Sequence, residues 1–248
     1  MSSPQPPDPL PALAGIDRRI RVAAEASGRA AADVRLLIAT KTVPAQRILP
    51  VLAAGYRLIG ENRVQEVTEK ADELAAVPHE LHFIGHLQRN KINQLLPHIS
   101  CLQTLDSADL AAALHSRLDG DRTLDVLLQV NVSGEASKSG IAPEQIPDLL
   151  QALTTYPKLV VRGYMTIGLN SADAAAVQAG YRTLVDWRDR AQQQGMPGAE
   201  HAVELSMGMS GDYESAIACG ATVVRLGSSV FGARANSPES VVREGPPR

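Results

Sequence analysis

The sequence has few of the features that mark secreted, membrane-bound or nucleic-acid-binding proteins. Its 248 residues include two cysteines, Cys101 and Cys219, far apart and in apolar segments, so we expect a reducing compartment and no disulfide framework. The formal net charge of −3 offers no basic field to nucleic acid or anionic lipid. No apolar run approaches the roughly 18 residues of a membrane span, and no signal peptide is visible. We therefore expect a cytoplasmic protein without membrane or nucleic-acid partners.

Several catalytic motifs are also missing from the sequence. No glycine-rich dinucleotide turn follows the first predicted strand, and no nucleotide phosphate loop, nucleophile elbow or Ser-His-Asp order is present. His82 and His86 lie four residues apart, but they straddle a strand end and do not share one helical face as paired zinc ligands would. No metal site is predicted.

Apolar runs and amphipathic segments alternate along one uninterrupted domain. Five of the sixteen prolines fall within residues 2 to 11, which predicts a flexible lead-in over residues 1–9. We expect a single domain over residues 10–236 and a second flexible segment over residues 237–248. No repeat, low-complexity linker or internal shift in composition marks a further boundary.

The pattern predicts eight strands with helices between them, preceded by one extra helix. The predicted strands are Arg35–Thr40, Arg57–Gly60, Leu81–Gly85, Cys101–Leu105, Leu124–Asn131, Val160–Thr166, Val203–Ser206 and Thr222–Leu226. The predicted helices are Leu10–Arg29, Ala45–Ala54, Arg63–Ala76, Gln88–Leu96, Ser107–Leu118, Pro143–Thr155, Ala172–Gln194 and Asp212–Cys219. Such alternation is typical of parallel strands. The fold class is therefore α/β, and a single (β/α)₈ TIM-type barrel with an N-terminal helix fits better than an open doubly wound sheet.

A lysine follows the first predicted strand, at the end where such barrels carry their functional groups. Lys41 comes directly after the run Arg-Leu-Leu-Ile-Ala-Thr, so its amine is expected at the barrel mouth beside apolar walls. Partial desolvation there makes an amine nucleophilic toward aldehydes. A lysine that extends from a strand end into solvent is the alternative.

Two glycine and serine turns, after the seventh and eighth strands, are typical of a phosphate site. The segment 206–211 leads into a helix predicted to begin near Asp212, with Ser210 as its N-cap, so free backbone N–H groups face the mouth. Gly227 and Ser228 follow the eighth strand, and barrels often bind phosphate in these two loops. Ordinary connecting turns are the alternative.

Arg225 is a lone charge in an apolar strand and therefore requires an acceptor. The carboxylate of Glu204 on the neighbouring strand and a ring nitrogen or phosphate of a ligand both remain open. Asn62 stands three residues before Gln65, as in a helix capping box, which favours a structural role. A lysine amine, a phosphate site and a buried arginine together indicate an aldehyde that carries a phosphate. Pyridoxal 5′-phosphate (PLP) is the common molecule with both groups.

Several segments resemble one known family, the pyridoxal phosphate homeostasis proteins, which are single-domain relatives of the alanine racemase N-terminal barrel. The resemblance covers roughly residues 15 to 235 and rests on the combination KTVPAQRI, IGENRVQE, HFIGHLQRNK, LLQVNVSGEASKSGI, GYMTIG and ELSMGMSGDYESAIACGATVVRLGSSVFGAR. It implies the barrel of PLP fold type III. It also implies intracellular PLP homeostasis, with apo forms of PLP enzymes as candidate recipients.

The resemblance implies a role for each of the residues that match the family pattern. Lys41 would form a Schiff base with PLP, Arg225 would face the pyridine nitrogen, and three residues would hold the phosphate: Ser210, Gly227 and Ser228. Asn62 and Met165 would line the ring, and Met209 would lie beside the phosphate turn. His86 is a peripheral candidate, and Lys138 is a second amine that would take up PLP only transiently, with a solvated loop lysine as the alternative.

The resemblance favours a carrier over an enzyme, and a PLP-dependent amino-acid racemase is the alternative. Related racemases take one base and much of their pocket from a second domain and a partner subunit, and we expect neither here, hence a monomer. A permanent cation at the ring nitrogen also disfavours the pyridinium that makes PLP a strong electron sink. A Schiff-base aldolase for a phosphorylated sugar is a third class, but its lysine usually lies on strand 6, where this chain has Met165 and Thr166.

Overall fold

The computed structural model describes residues 7–135, 139–169 and 171–232. The predicted lead-in is described only from residue 7, and the predicted segment 237–248 lies outside the described residues, as does Lys138. Parallel strands form a closed barrel in sequence order, in which the first strand pairs with the eighth. The strands are β1 (Arg35–Ala39), β2 (Leu58–Glu61), β3 (Glu80–Phe83), β4 (Cys101–Leu105), β5 (Leu124–Gln129), β6 (Leu159–Met165), β7 (Glu204–Ser206) and β8 (Val223–Leu226). The predicted TIM-type barrel is confirmed.

Helices follow the strands around the outside of the barrel. In the described residues they are α1 (Leu10–Ala26), α2 (Ala45–Ala53), α3 (Val64–Leu74), α4 (Ile92–Leu95), α5 (Ala108–His115), α6 (Ile146–Leu153), α7 (Ala174–Gln193), α8 (Tyr213–Ala218) and α9 (Ser228–Phe231). Short 3₁₀ turns occur at Ala31–Asp33, Arg89–Lys91, Leu96–His98 and Pro143–Gln145. None of these helices is long and apolar enough to cross a membrane.

Three helix predictions need correction. The first helix ends at Ala26 and not at Arg29, because Gly28 adopts a left-handed conformation (φ +71°) that terminates it. The predicted helix Gln88–Leu96 is a single α-turn between two 3₁₀ turns, since Pro97 has no N–H to continue the α-helical hydrogen bonds. The short helix α9 after β8 was missed altogether, because four residues carry no detectable period.

Alternate residues of the strands face the barrel interior and the helices. Leu37, Leu58 and Val223 form one cluster inside the barrel, whereas Ile38 and Ile59, one position along, pack into the large core beneath the helices. This two-residue period is the ordinary consequence of strand geometry. Continued two residues past the end of β1 at Ala39, the same period predicts that Lys41 faces the interior of the barrel.

The extra helix α1 buries one apolar face. Leu13, Ile16, Ile20 and Ala24 recur at spacings of three and four residues and are 0–5% exposed. Outside this face, Arg19 of α1 forms a two-point ion pair with Glu214 of α8, at 2.8 and 2.9 Å. The predicted N-terminal helix is therefore an integral part of the barrel's outer layer.

Charged side chains meet at the amino end of the barrel. Arg35 at the start of β1 pairs with Glu80 of β3 and lies 3.8 Å from Glu204 of β7, and Arg162 pairs with Asp125 at 3.0 Å. The neighbouring His82 ring, 3.7 Å away, and the ion pair with Arg35 lower the pKa of Glu80 to about 2. Glu80 therefore stays ionised in the folded protein at pH values where a free carboxyl is protonated.

Replacing Glu80 by glutamine is expected to cost stability only where the native carboxyl is ionised. With a folded pKa of about 2 and an ordinary value of 4.5, the stabilisation is complete above about pH 4.5 and is lost as the pH falls toward 2. Urea unfolding should give a lower free energy of unfolding for Glu80→Gln than for the wild type at about pH 6, and the difference should vanish at acid pH.

Asp109→Asn is the control for this experiment, because the Asp109 carboxylate lies in an exposed ion pair with Arg89 and such pairs contribute little. If the difference in unfolding free energy between Glu80→Gln and the wild type does not change with pH, or if Asp109→Asn loses as much stability, the ionised Glu80 carboxylate is not the source of the effect.

Candidate functional site

The backbone on both sides of Lys41 is held by polar contacts. The Thr40 hydroxyl donates to Glu61 Oε1 at 2.7 Å, and the Thr42 N–H donates to Glu66 Oε2 at 2.5 Å. Thr42 has a φ of +63°, a left-handed conformation that costs a residue with a Cβ about 1 kcal/mol or more. The hydrogen bond to Glu66 holds this turn, so the position from which the Lys41 side chain starts is fixed.

Lys70 links the carboxylates that hold this turn. Its Nζ donates to Glu61 Oε1 at 2.8 Å, to Glu66 Oε2 at 3.0 Å and to the Thr40 carbonyl at 3.0 Å. Burial raises the pKa of the Glu61 carboxyl, while the hydrogen bonds from Lys70 and Thr40 act in the opposite direction. Sequence reasoning missed this cluster. The i, i+4 spacing of Glu66 and Lys70 on α3 was a usable signal.

The two glycine and serine turns are in contact with each other. Ser210 Oγ accepts hydrogen bonds from the Ser228 hydroxyl at 3.1 Å and from the Ser229 N–H at 3.4 Å. The prediction that Ser210 caps the following helix is wrong. Asp212 is the N-cap residue of α8, and its Oδ1 accepts from the Met209 N–H at 2.7 Å. The Ser210 side chain instead points to the turn after β8.

The turn after β8 also lies against the end of the lysine-bearing strand. A Cβ on Gly227 would be 3.0 Å from the Ala39 carbonyl oxygen and 3.3 Å from the Ala39 Cβ. Only glycine allows this approach without a shift of either strand. Because β1 and β8 are hydrogen-bonded neighbours, the backbone that leads into Lys41 and the turn that begins at Gly227 lie side by side at the carboxyl end of the barrel.

Gly208 sets the shape of the turn after β7. It has a φ of +91°, and a Cβ there would lie 2.5 Å from the Ala216 Cβ and 3.0 Å from the Tyr213 Cα. Its carbonyl also accepts the Arg225 N–H at 3.0 Å. Both the backbone conformation and the close approach of α8 therefore require glycine at this position.

Gly208→Ala is expected to lower the free energy of unfolding by roughly 2–4 kcal/mol, from left-handed strain plus overpacking against α8. Gly211→Ala is the matched control in the same turn, since its Cβ would meet no atom within 4 Å. We expect that variant to change stability by about 0.5 kcal/mol or less. Thermal unfolding of the ligand-free protein measures both, and equal losses would contradict the role of Gly208.

Arg225 is buried, and its guanidinium donates hydrogen bonds to neutral acceptors. It is 6% exposed, and its guanidinium donates to Ser206 Oγ and to the Thr166 carbonyl, both at 2.8 Å. Glu204, one of the two acceptors considered, lies instead near Arg35 at the amino end of the barrel. Burial lowers the pKa of Arg225 to about 10, so it keeps its charge at neutral pH. A buried cation thus lies below the mouth.

Asn62 does not cap a helix. The helix α3 begins at Val64, and Arg63 occupies its N-cap position. No side chain makes a capping hydrogen bond there, so the predicted capping box of Asn62 and Gln65 is absent. The Asn62 Oδ1 is buried without a hydrogen-bond partner among the described residues. Such an atom is costly unless a further donor reaches it. The capping interpretation was wrong, and Asn62 is a better candidate for ligand contact than its sequence pattern indicated.

The remaining candidates differ in exposure. Met165, at the end of β6, is 1% exposed and packs with Cys101 and Leu127 inside the barrel. Met209 is 40% exposed beside Ser210, and His86 is exposed after β3. Across the ranges described, no three His, Cys, Asp or Glu residues are arranged to hold a metal ion.

Comparison with known proteins identifies the class of this barrel. Residues 12–235 match the family model described as alanine racemase, N-terminal domain. A structure of an unknown protein from Bifidobacterium adolescentis is 40% identical with a TM-score of 0.85, covering 90% of this chain and 94% of that one. The fold and the family match together define a barrel of the alanine racemase N-terminal class.

Two further relatives narrow the assignment within that class. The pyridoxal phosphate homeostasis protein of Pseudomonas aeruginosa is 44% identical over 223 residues, which cover 90% of this chain and 94% of the relative. PipY of Synechococcus elongatus, solved with PLP bound, is 32% identical with a TM-score of 0.74, covering 88% of this chain and 100% of that one. The chain belongs to the pyridoxal phosphate homeostasis protein family, which confirms the resemblance stated from the sequence.

Proposed function

We propose that this protein binds PLP as a Schiff base on Lys41 and carries or buffers it in intracellular PLP homeostasis. The names of its relatives and the PLP bound in PipY support the cofactor. The observation that carries the proposal is the contact between the Gly227 turn and the end of β1, which supports a lysine amine and a phosphate-binding turn in neighbouring positions. The cofactor-binding unit is the barrel over residues 10–236, and it acts as a monomer.

Each candidate residue has a place in this proposal. PLP supplies an aldehyde that condenses with a lysine amine, with loss of water, and Lys41 provides that amine. The hydroxyls of Ser210 and Ser228 and the backbone at Gly227 hold the phosphate, while Arg225 faces the ring nitrogen. Asn62 and Met165 line the ring, and Met209 lies beside the phosphate turn. Delivery to apo forms of PLP enzymes is the proposed outlet.

The residues present fit the cofactor on independent grounds. The buried Asn62 Oδ1 has no hydrogen-bond donor among the described residues, which is consistent with a ligand or a ligand-bound water that supplies one. The hydroxyls of Ser210 and Ser228 lie 3.1 Å apart, so a phosphate that accepts a hydrogen bond from one of them is within reach of the other. The absence of a side chain at Gly227 lets this turn lie directly against the end of β1.

Arg225 supports carriage more than catalysis. A PLP enzyme that forms a carbanion benefits from a protonated ring nitrogen, and a fixed cation beside that nitrogen opposes protonation. Arg225 is held by two hydrogen bonds and retains its charge at neutral pH. The relatives named as homeostasis proteins agree with this interpretation. A PLP-dependent racemase is the alternative.

Borohydride reduction followed by peptide mass mapping tests the Schiff base. The purified protein with PLP should be yellow, and reduction should place the label on Lys41. Lys41→Ala should lose both colour and label, whereas Lys158→Ala should keep them, since Lys158 donates to the Leu118 carbonyl at the amino end of β6. A colourless protein, or label spread over surface lysines, contradicts the proposal.

The same loaded protein separates carriage from catalysis. Incubation with L-alanine should yield no D-alanine, and incubation with an apo PLP enzyme should restore that enzyme's activity. Racemisation that is lost in Lys41→Ala would favour the alternative.

Ser210→Ala is expected to weaken the binding of PLP but not the binding of pyridoxal, which has no phosphate. Removing one hydrogen bond to a charged group costs about 1.5 kcal/mol, which corresponds to roughly a tenfold higher dissociation constant for PLP. Titration by absorbance with both compounds gives the ratio of affinities. An equal loss for PLP and pyridoxal would show that Ser210 supports the fold and does not contact the phosphate.

A further inference from the structure

A row of buried polar side chains crosses the interior of the barrel beneath the site. Arg225 donates to Ser206 Oγ at 2.8 Å, Ser206 donates to Gln103 Oε1 at 2.7 Å, and Gln103 Nε2 lies 2.8 Å from His82 Nδ1. These four residues are 0–6% exposed. At the far end, His82 Nε2 is 3.7 Å from Glu80 Oε2. The row joins the two ends of the barrel through β8, β7, β4 and β3.

The direction of every hydrogen bond in this row follows from the arginine. A guanidinium only donates, so the Ser206 oxygen must accept from it and its single hydrogen turns to Gln103. Gln103 then accepts with Oε1 and donates with Nε2, which requires an unprotonated Nδ1 on His82. The His82 proton is therefore on Nε2, toward the carboxylate of Glu80.

We propose that His82, Gln103 and Ser206 are positioning residues that hold the Arg225 guanidinium at the ring nitrogen of the bound cofactor. The inference rests on the proposed function, because it assigns Arg225 the same role. A serine hydroxyl alone is a free rotor, and its hydrogen would spend part of its time pointing at Arg225. Gln103 takes that hydrogen and leaves the lone pairs facing the guanidinium, and His82 selects the orientation of the Gln103 amide.

The location of the row argues against a purely structural role. The interior of the barrel also holds apolar side chains, among them Leu37, Leu127 and Met165. Buried polar groups in such surroundings stabilise a fold less than apolar groups of the same shape, unless they serve a specific geometry. Of the residues in this row, Arg225 is the charged one that lies below the mouth. We therefore assign to the row the function of orienting the Arg225 guanidinium.

A double-mutant cycle between Gln103 and Arg225 tests the proposal. Gln103→Leu should raise the dissociation constant of PLP about tenfold, the effect of one lost hydrogen bond to a charged group. In an Arg225→Leu background the same change should have no further effect, because Gln103 acts through Arg225. Thr104→Val is the matched control. Thr104 is the next residue of β4, is 4% exposed and donates to the Gly85 carbonyl at 2.7 Å, so its loss should change PLP affinity less than twofold.

A tenfold loss that persists in the Arg225→Leu background, or an equal loss in Thr104→Val, would overturn the proposal and leave the row as part of the fold. If the wild type binds PLP with the label on Lys41, and Gln103→Leu has an unchanged dissociation constant for PLP, this inference alone is overturned. A wild type that takes up no PLP would overturn the proposed function and this inference with it.

The ligand-free wild type provides a second readout that needs no variant of Gln103. Nitrogen-15 NMR of the imidazole rings, with His82 assigned by comparison with His82→Gln, should show a neutral ring protonated on Nε2 and not on Nδ1. A proton on Nδ1 would mean that the Gln103 amide is reversed, and the proposed orientation of Ser206 toward Arg225 would fail.

Discussion

Closure of the sheet between β1 and β8 is the constraint on which the site depends. Four residue pairs, from Arg35 with Val223 to Ile38 with Leu226, join the first and last strands of the barrel. Segments almost 190 residues apart in sequence, at Lys41 and Gly227, are thereby neighbours. The absence of a side chain at Gly227 lets the two strand ends approach to van der Waals contact. An open sheet with the same strands would leave Lys41 and the Gly227 turn at opposite edges.

The charged groups divide between the two ends of the barrel according to their partners. At the amino end, Arg35, Glu80 and Glu204 lie close together, where the pKa of Glu80 is lowered by its partners and burial raises the pKa of Glu204. Near the mouth, the hydrogen-bond acceptors of Arg225 in the described residues are neutral, and the Asp212 carboxylate acts on it only through a longer-range charge interaction. An anionic, electron-rich ring is the type of ligand that such a buried cation attracts.

The sequence predicted the barrel well and the site in part. Apolar alternation located the strands to within two residues, because each strand is buried on both faces and bounded by turn residues. Lys41, Arg225 and the two turns were recognisable since they interrupt apolar runs. Contacts between distant segments could not be predicted. The Ser210 hydroxyl looked like a local cap and instead reaches Ser228, and Asn62 looked like part of a capping box. Sequence spacing predicts hydrogen-bond partners that are near in the chain, whereas in the folded protein these side chains are placed by contacts between distant segments.

The anchored turn around Lys41 limits what moves when the lysine reacts. Thr40 and Thr42 are tied to Glu61 and Glu66, and Lys70 joins those carboxylates. In the proposed function, Lys41 would react from a backbone that these contacts hold in place. Ordering or releasing a lysine side chain involves an entropy of about 2 kcal/mol and no refolding of the backbone. Repeated loading and unloading of a cofactor on such a lysine would therefore have little conformational cost, which suits the carrier that we propose.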